Sequence, residues 1–312
     1  SSAASDVYKR QALLYRSKDM FHWSFFNVLA ESRGEWGFMW ECPDFFQAGD
    51  QYVLTFSPMG AGDHTSVYMV GDFDYETGKF DYYISKEIDW GLDYYAPQSF
   101  ETMDGRRIMV AWANEWEWMP LWKDWGPSYR EGWSGFFNLP REVRKKPDGL
   151  LQFVPVKELE NLRVNPIKKE KFVLEEQETE IKAGDGICYE IKFNLDLQET
   201  TADQVEIKLR CGDGKNTVCL FDLKKGEMSV DRNFGDGWSR GISRSILNLK
   251  EKNELDVHVF VDRSSVEIFA DQYSNNHSNN VFASDKQNQI FMSAYGGKAV
   301  ISGLETYGLK LS

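Results

Sequence analysis

The chain has 312 residues, enough for two domains that each bury a core, with 42% hydrophobic residues. No run approaches the roughly 18 to 20 apolar residues that a membrane-spanning helix needs. A formal net charge of −13 argues against a nucleic-acid partner, because phosphate binding needs a basic face.

Residues 1–11, SSAASDVYKRQ, carry no Met, no signal-peptide pattern and no capping or strand pattern, and read as a non-native leader outside the fold. Localisation, cytoplasmic or secreted, therefore stays open. From there on, short β-branched and aromatic runs alternate with Gly, Asp, Asn and Pro turns. Strands are expected at Leu13–Tyr15, Trp23–Leu29, Gln51–Phe56, Ser66–Val70, Arg107–Trp112, Ile187–Phe193, Leu255–Val261 and Ser265–Phe269. Helical periodicity is nearly absent, so the chain reads as all-β, a sandwich or a propeller.

Composition divides it in two. Ten of the eleven Trp lie in residues 12–160, six of them between Trp112 and Trp133, and the second half is rich in Lys and Glu. Trp offers a flat apolar face and one N–H donor, which suits sugar rings and core packing alike. The run Lys157–Leu162 reads as a short helical connector, giving a first domain over 12–162 and a second over 163–312. Glu41 opens one group of strands and Asp93 another, 52 residues later. A propeller blade takes about 40 to 50 residues, so the first half holds about two blades and part of a third, each full blade led by an acid. Four Cys without a CxxC pair, and only four His, give no metal-ligand spacing.

Trp40-Glu41-Cys42-Pro43-Asp44-Phe45 resembles the E-C-P motif of glycoside hydrolase family 32, the β-fructosidases. Asp93-Tyr94-Tyr95-Ala96-Pro97-Gln98-Ser99-Phe100 resembles that family's D-[FY]-Y-A-P-Q-[ST]-F segment. Arg107–Trp112, Asn138–Glu142 and the hairpin Phe260–Phe269 match further family motifs in the same order. The resemblance implies a five-bladed β-propeller, here its last two blades and part of a third, followed by a C-terminal β-sandwich. It implies retaining hydrolysis of β-fructosidic bonds in sucrose or fructans, without metal or organic cofactor. Two carboxyls do that chemistry, one a nucleophile and one an acid that later acts as base.

Glu41 is carried over as the acid/base, with Trp40 and Cys42 beside it expected to desolvate it. Asp93 is expected on fructosyl hydroxyls, Trp112 and Trp116 at the wall of the sugar pocket, and Asn114 and Glu115 between them, where they would orient a second sugar or the aglycone. The run Trp118–Trp125 would extend the rim, and its single cation, Lys123, leans the substrate toward unphosphorylated sugar. Each has a plainer reading: Asp93 as a turn residue after Gly91, the Trp residues as packing between blades. The family's nucleophile motif, W-x-N-D-P-N-G, and its R-D-P motif do not occur in these 312 residues. The chain is therefore expected to be an N-terminally truncated fragment, inactive alone. A related five-bladed propeller glycosidase and a non-catalytic fructan-binding module are the alternatives, and the oligomeric state stays open.

Overall fold

The structure, a computed structural model, describes residues 2–6, 10–32, 34–114 and 127–311. The chain opens with a three-stranded antiparallel sheet of β1 (Ser2–Asp6), β2 (Gln11–Ser17) and β3 (Trp23–Glu31). Two four-stranded meanders follow. The first runs β4 (Met39–Ala48), β5 (Gln51–Met59), β6 (Ser66–Asp74) and β7 (Lys79–Asp89). The second runs β8 (Tyr95–Glu101), β9 (Arg107–Trp112), β10 (Arg141–Lys145) and β11 (Leu151–Pro155). The expected strands are all present, most of them longer by a few residues. One reading is corrected: Ser2–Asp6, expected to have no strand pattern, pairs with β2, Ser2 facing Tyr15 and Asp6 facing Gln11. A ladder needs only backbone N–H and C=O groups, so a run of Ser and Ala can join a sheet without apolar alternation.

The β4–β7 sheet explains why its strands read as continuous apolar runs. Successive side chains of a strand point to opposite faces, and both faces here are buried. Leu54, Phe56, Val67 and Met69 pack on one side with Ala12, Leu14, Leu29 and Trp40. Val53, Tyr68 and Val70 pack on the other with Met109, Ala111 and Phe153.

The second half forms two six-stranded sheets. Its strands are β12 (Arg163–Leu174), β13 (Thr179–Glu180), β14 (Tyr189–Asp196), β15 (Gln204–Gly212), β16 (Lys215–Asp222) and β17 (Glu227–Asp231). They continue with β18 (Ile242–Ile246), β19 (Glu254–Val261), β20 (Ser265–Ala270), β21 (Asn275–Asn280), β22 (Gln289–Tyr295) and β23 (Ala299–Leu309). One sheet has the order β12-β23-β14-β19-β20-β21, the other β13-β22-β15-β16-β17-β18. A single apolar cluster joins them, with Ile191 and Val259 from the first and Val205, Ile207 and Val230 from the second. Outward positions such as Glu206 and Lys208 alternate with these, as a one-faced sheet requires.

The chain divides into two compact units. The first holds β1–β11; the second holds β12–β23 and, from earlier in the chain, Trp90–Leu92. The division falls between Val156 and Lys157, where the expected connector is a 3-10 turn, Lys157–Leu162.

Candidate active site

Two prolines shape the site. Proline has no N–H to give to a ladder, and it drives the residue before it out of the α region. In β4 the pairing with β5 jumps from Glu41–Ser57 to Asp44–Thr55, leaving Cys42-Pro43 as a bulge. In β8 the pairing with β9 jumps from Tyr95–Trp112 to Gln98–Val110, leaving Ala96-Pro97 as a bulge. Cys42 and Ala96 both take left-handed backbone angles, φ 51° and 53°. Bulges of this kind bend a strand and re-aim the side chain before them. Here those side chains are Glu41 and Tyr95, and they meet: the Tyr95 hydroxyl donates to Glu41 Oε2 at 2.5 Å.

Side chains fasten β8 to the β4–β7 sheet around that contact, since β4 and β8 belong to different sheets. The Ala96 N–H donates to Ser57 Oγ at 2.8 Å, and Gln98 Nε2 to the Cys42 carbonyl at 2.8 Å. Asp44 Oδ2 accepts from the Ser99 N–H at 2.9 Å and from the Ser99 hydroxyl at 2.5 Å. Burial pushes the Asp44 carboxyl up, and the Ser99 hydrogen bonds and the nearby Arg107 charge only partly offset this. Burial, and after it the neighbouring Glu41 charge, pushes the Cys42 thiol up as well.

The remaining predicted residues separate into three groups. Cys42 is exposed beside Glu41, and Trp112 is partly exposed with its ring edge-on to Tyr95, centroids 6.3 Å apart. Trp40 lies in the core. It is wholly buried, its ring stacks on Phe56 with centroids 3.9 Å apart, and its indole N–H donates to the Trp36 carbonyl at 2.8 Å. Strand alternation accounts for this: a residue next to one aimed at the site must point into the core. Asp93 and Asn114 are buried. Trp116, Glu115 and the expected rim Trp118–Trp125 lie outside the described residues.

The spacing of the repeat is also corrected. Counted from the bulges, the counterpart of Glu41 is Tyr95, 54 residues on, and Asp93 lies two residues ahead of β8. Tyr95, Ser57, Gln98 and Asp44 are site residues that the sequence reading passed over. The signal for Tyr95 was present: it stands two residues before Pro97, as Glu41 stands two before Pro43.

A cleft of about 540 Å³, lined by Phe46, Gln47, Glu101, Arg106, Arg107 and Lys145, opens at the opposite ends of β4 and β8 from Glu41. Its basic and acidic groups neutralise one another in pairs such as Arg106–Asp104, so it offers no counterpart to the carboxyl–phenol pair. Further along, Arg141 is fully buried, donating to Asp89 Oδ2 at 2.8 Å with its guanidinium 4.2 Å from the centre of the Tyr94 ring.

Comparison with known proteins places the chain in a family. Residues 2–154 match the family described as glycosyl hydrolases family 32 N-terminal domain, and residues 158–308 match glycosyl hydrolases family 32 C terminal. A sucrose-6-phosphate hydrolase of Zymomonas mobilis is 34% identical over 275 residues, covering 82% of this chain and 51% of its own length. The sucrose-6-phosphate hydrolase of Escherichia coli is 32% identical over 310 residues, covering 93% of this chain and 60% of its own length. The chain thus spans between half and three fifths of the length of these curated relatives. Among solved structures, the Bombyx mori GH32 beta-fructofuranosidase superposes with a TM-score of 0.74 at 26% identity, over 99% of this chain and 62% of that one. With both family domains matched in order over nearly its whole length, the chain belongs to glycoside hydrolase family 32.

Proposed function

We propose that this chain is the part of a retaining β-fructofuranosidase that supplies the acid/base, Glu41, for hydrolysis of sucrose or fructans. The observation that carries the reading is the Tyr95–Glu41 contact, which holds a carboxyl at one orientation on a partly exposed strand end. A general acid works only if its proton lies within hydrogen-bond reach of the leaving oxygen, so a fixed aim is what the role demands. Glu41 gives its proton to the departing sugar oxygen while a nucleophilic carboxylate takes the fructosyl carbon. Glu41 then draws a proton from the water that cleaves the fructosyl-enzyme.

Trp112 and Cys42 flank the sugar. Asp93 is assigned to fructosyl hydroxyls, with Asn114 and Trp116 beyond it, on the family resemblance alone. The two stacked four-stranded meanders, bulged alike, support their reading as two blades of a five-bladed propeller, with β1–β3 as part of a third. The nucleophile motif does not occur in this sequence, so the 312-residue chain alone should leave sucrose intact.

Two experiments test this. Reading the coding sequence upstream should recover W-x-N-D-P-N-G and R-D-P in frame; an extension lacking both would leave a binding role as the better account. Assay of the extended protein on sucrose, inulin and sucrose 6-phosphate then sets the substrate. Fructose release by the 312-residue chain itself would contradict the assignment of the nucleophile.

A further inference from the structure

We infer that Asp44 is a positioning residue for Glu41: through Ser99 it sets the register at which β4 and β8 lie against each other, and with it the reach of the Tyr95 hydroxyl to Glu41. All of these residues belong to the first unit. Within each sheet the ladder holds its own side chain in place, Glu41 opposite Ser57 and Tyr95 opposite Trp112. Among the described residues no ladder joins the two sheets. Apolar packing between them, such as Val53 and Val70 with Met109 and Ala111, is non-directional and sets a spacing but not a register. The register therefore falls to directional ties.

Two of those ties join neutral groups, the Ala96 N–H to Ser57 Oγ and Gln98 Nε2 to the Cys42 carbonyl. The tie at Asp44 is of another kind, because one carboxyl oxygen takes both the N–H and the hydroxyl of Ser99. A hydrogen bond to an ionised acceptor is roughly twice as strong as one between neutral groups. Arg107 of β9 locks this tie. Its Nη1 donates to Ser99 Oγ at 3.1 Å, which leaves the hydroxyl's own hydrogen to point at Asp44. Its guanidinium lies 4.4 Å from the centre of the Phe46 ring, two residues along β4 from Asp44, and Glu101 faces it at 3.5 Å. Asp44 stands three residues past Glu41, and Ser99 four past Tyr95. The bulged pairs Cys42-Pro43 and Ala96-Pro97 lie between, and the fixed φ of proline leaves them little room to absorb a slide. A slide at Asp44 and Ser99 therefore reaches the Tyr95–Glu41 contact, where a hydrogen bond weakens steeply once its geometry degrades.

This inference rests on the reading of Glu41 as the acid/base, but its test measures alignment and not turnover. The full 312-residue chain is labelled with fluorotyrosine, and the fluorine NMR line of Tyr95 is assigned by its loss in Tyr95→Phe. Glu41→Ala shows where that line lies when the phenol has lost its acceptor. Asp44→Ala should shift the Tyr95 line toward that position. Ser99→Ala should shift it the same way by less, because the Ser99 N–H remains. Asp44→Asn keeps an oxygen that can accept from Ser99, and should leave the line where the wild type has it. Val67→Ala, a core truncation in the same unit, should lower the thermal midpoint and leave the line in place. Should Asp44→Ala not fold, Ser99→Ala decides. A folded Asp44→Ala or Ser99→Ala with an unmoved Tyr95 line overturns the inference, as does an Asp44→Asn shifted as far as Asp44→Ala. A Glu41 without catalytic function would show instead as undiminished turnover in the extended enzyme carrying Glu41→Gln, leaving the fluorine result untouched.

Discussion

Strands β4 and β8 are one backbone solution used for two chemistries. Each leads a four-stranded meander, breaks its ladder at an X-Pro pair, and places a left-handed residue just before the proline. At the matching position one carries Glu41 and the other Tyr95, a carboxyl and the phenol that donates to it. A repeated structural device can thus bring a carboxyl and a phenol together when the side chain before the bulge differs. It also shows why reading acids alone misleads, since the partner of a carboxyl need not be an acid.

The comparison can be broken most severely at Trp40. If β4 alternates as described, Trp40 serves the core, and Trp40→Ala should cost about 3 to 5 kcal/mol in chemical denaturation. Trp112→Ala, on a partly exposed ring opposite Tyr95, should cost clearly less. Equal costs would contradict the assignment of one Trp to the core and the other to the site. Ser57→Ala removes the hydroxyl that accepts the Ala96 N–H, and should destabilise the fold by about 1 kcal/mol. A neutral result would mean that the fastening between β8 and the β4–β7 sheet lies elsewhere.

The two bulges should also respond alike to glycine. A left-handed angle costs an ordinary residue about 1 to 2 kcal/mol, and glycine gives back about 0.5 to 1 in chain entropy. Cys42→Gly and Ala96→Gly should therefore each stabilise the chain by up to about 1 kcal/mol. A gain at one site and a loss at the other would show that the bulges are not equivalent. The smallest effect concerns Asp44. Its carboxyl titrates above its usual range in the fold, so its contribution to stability is full below about pH 4 and declines as pH rises through the raised value. Asp44→Asn should gain on the wild type in thermal midpoint as pH rises above about 4, and the opposite trend would contradict the burial of that group.

Much of this architecture was legible in the sequence. The strands of β5, β6, β9, β19 and β20 announce themselves by β-branched and aromatic runs, and the motif around Glu41 identified the family. Three things were not legible, each for a physical reason. Ser2–Asp6 pairs through its backbone, which leaves no side-chain pattern. The fate of Trp40 depends on which face of β4 is buried, and a bulge two residues later disturbs the simple count. The burial of Asn275–Asn280 runs against every compositional rule, and the hydroxyls that hold Asn275 and His277 there, Ser243 and Ser245, lie some 30 positions away.

The most direct test of Glu41 uses the enzyme extended upstream through its nucleophile, comparing wild type with Glu41→Gln on two substrates. Sucrose needs its leaving group protonated, whereas fructosyl fluoride does not. The account expects Glu41→Gln to lower turnover of sucrose by about 10² to 10⁴-fold while the fluoride is cleaved with a far smaller loss. Equal losses on both substrates, or full activity on sucrose, would contradict it.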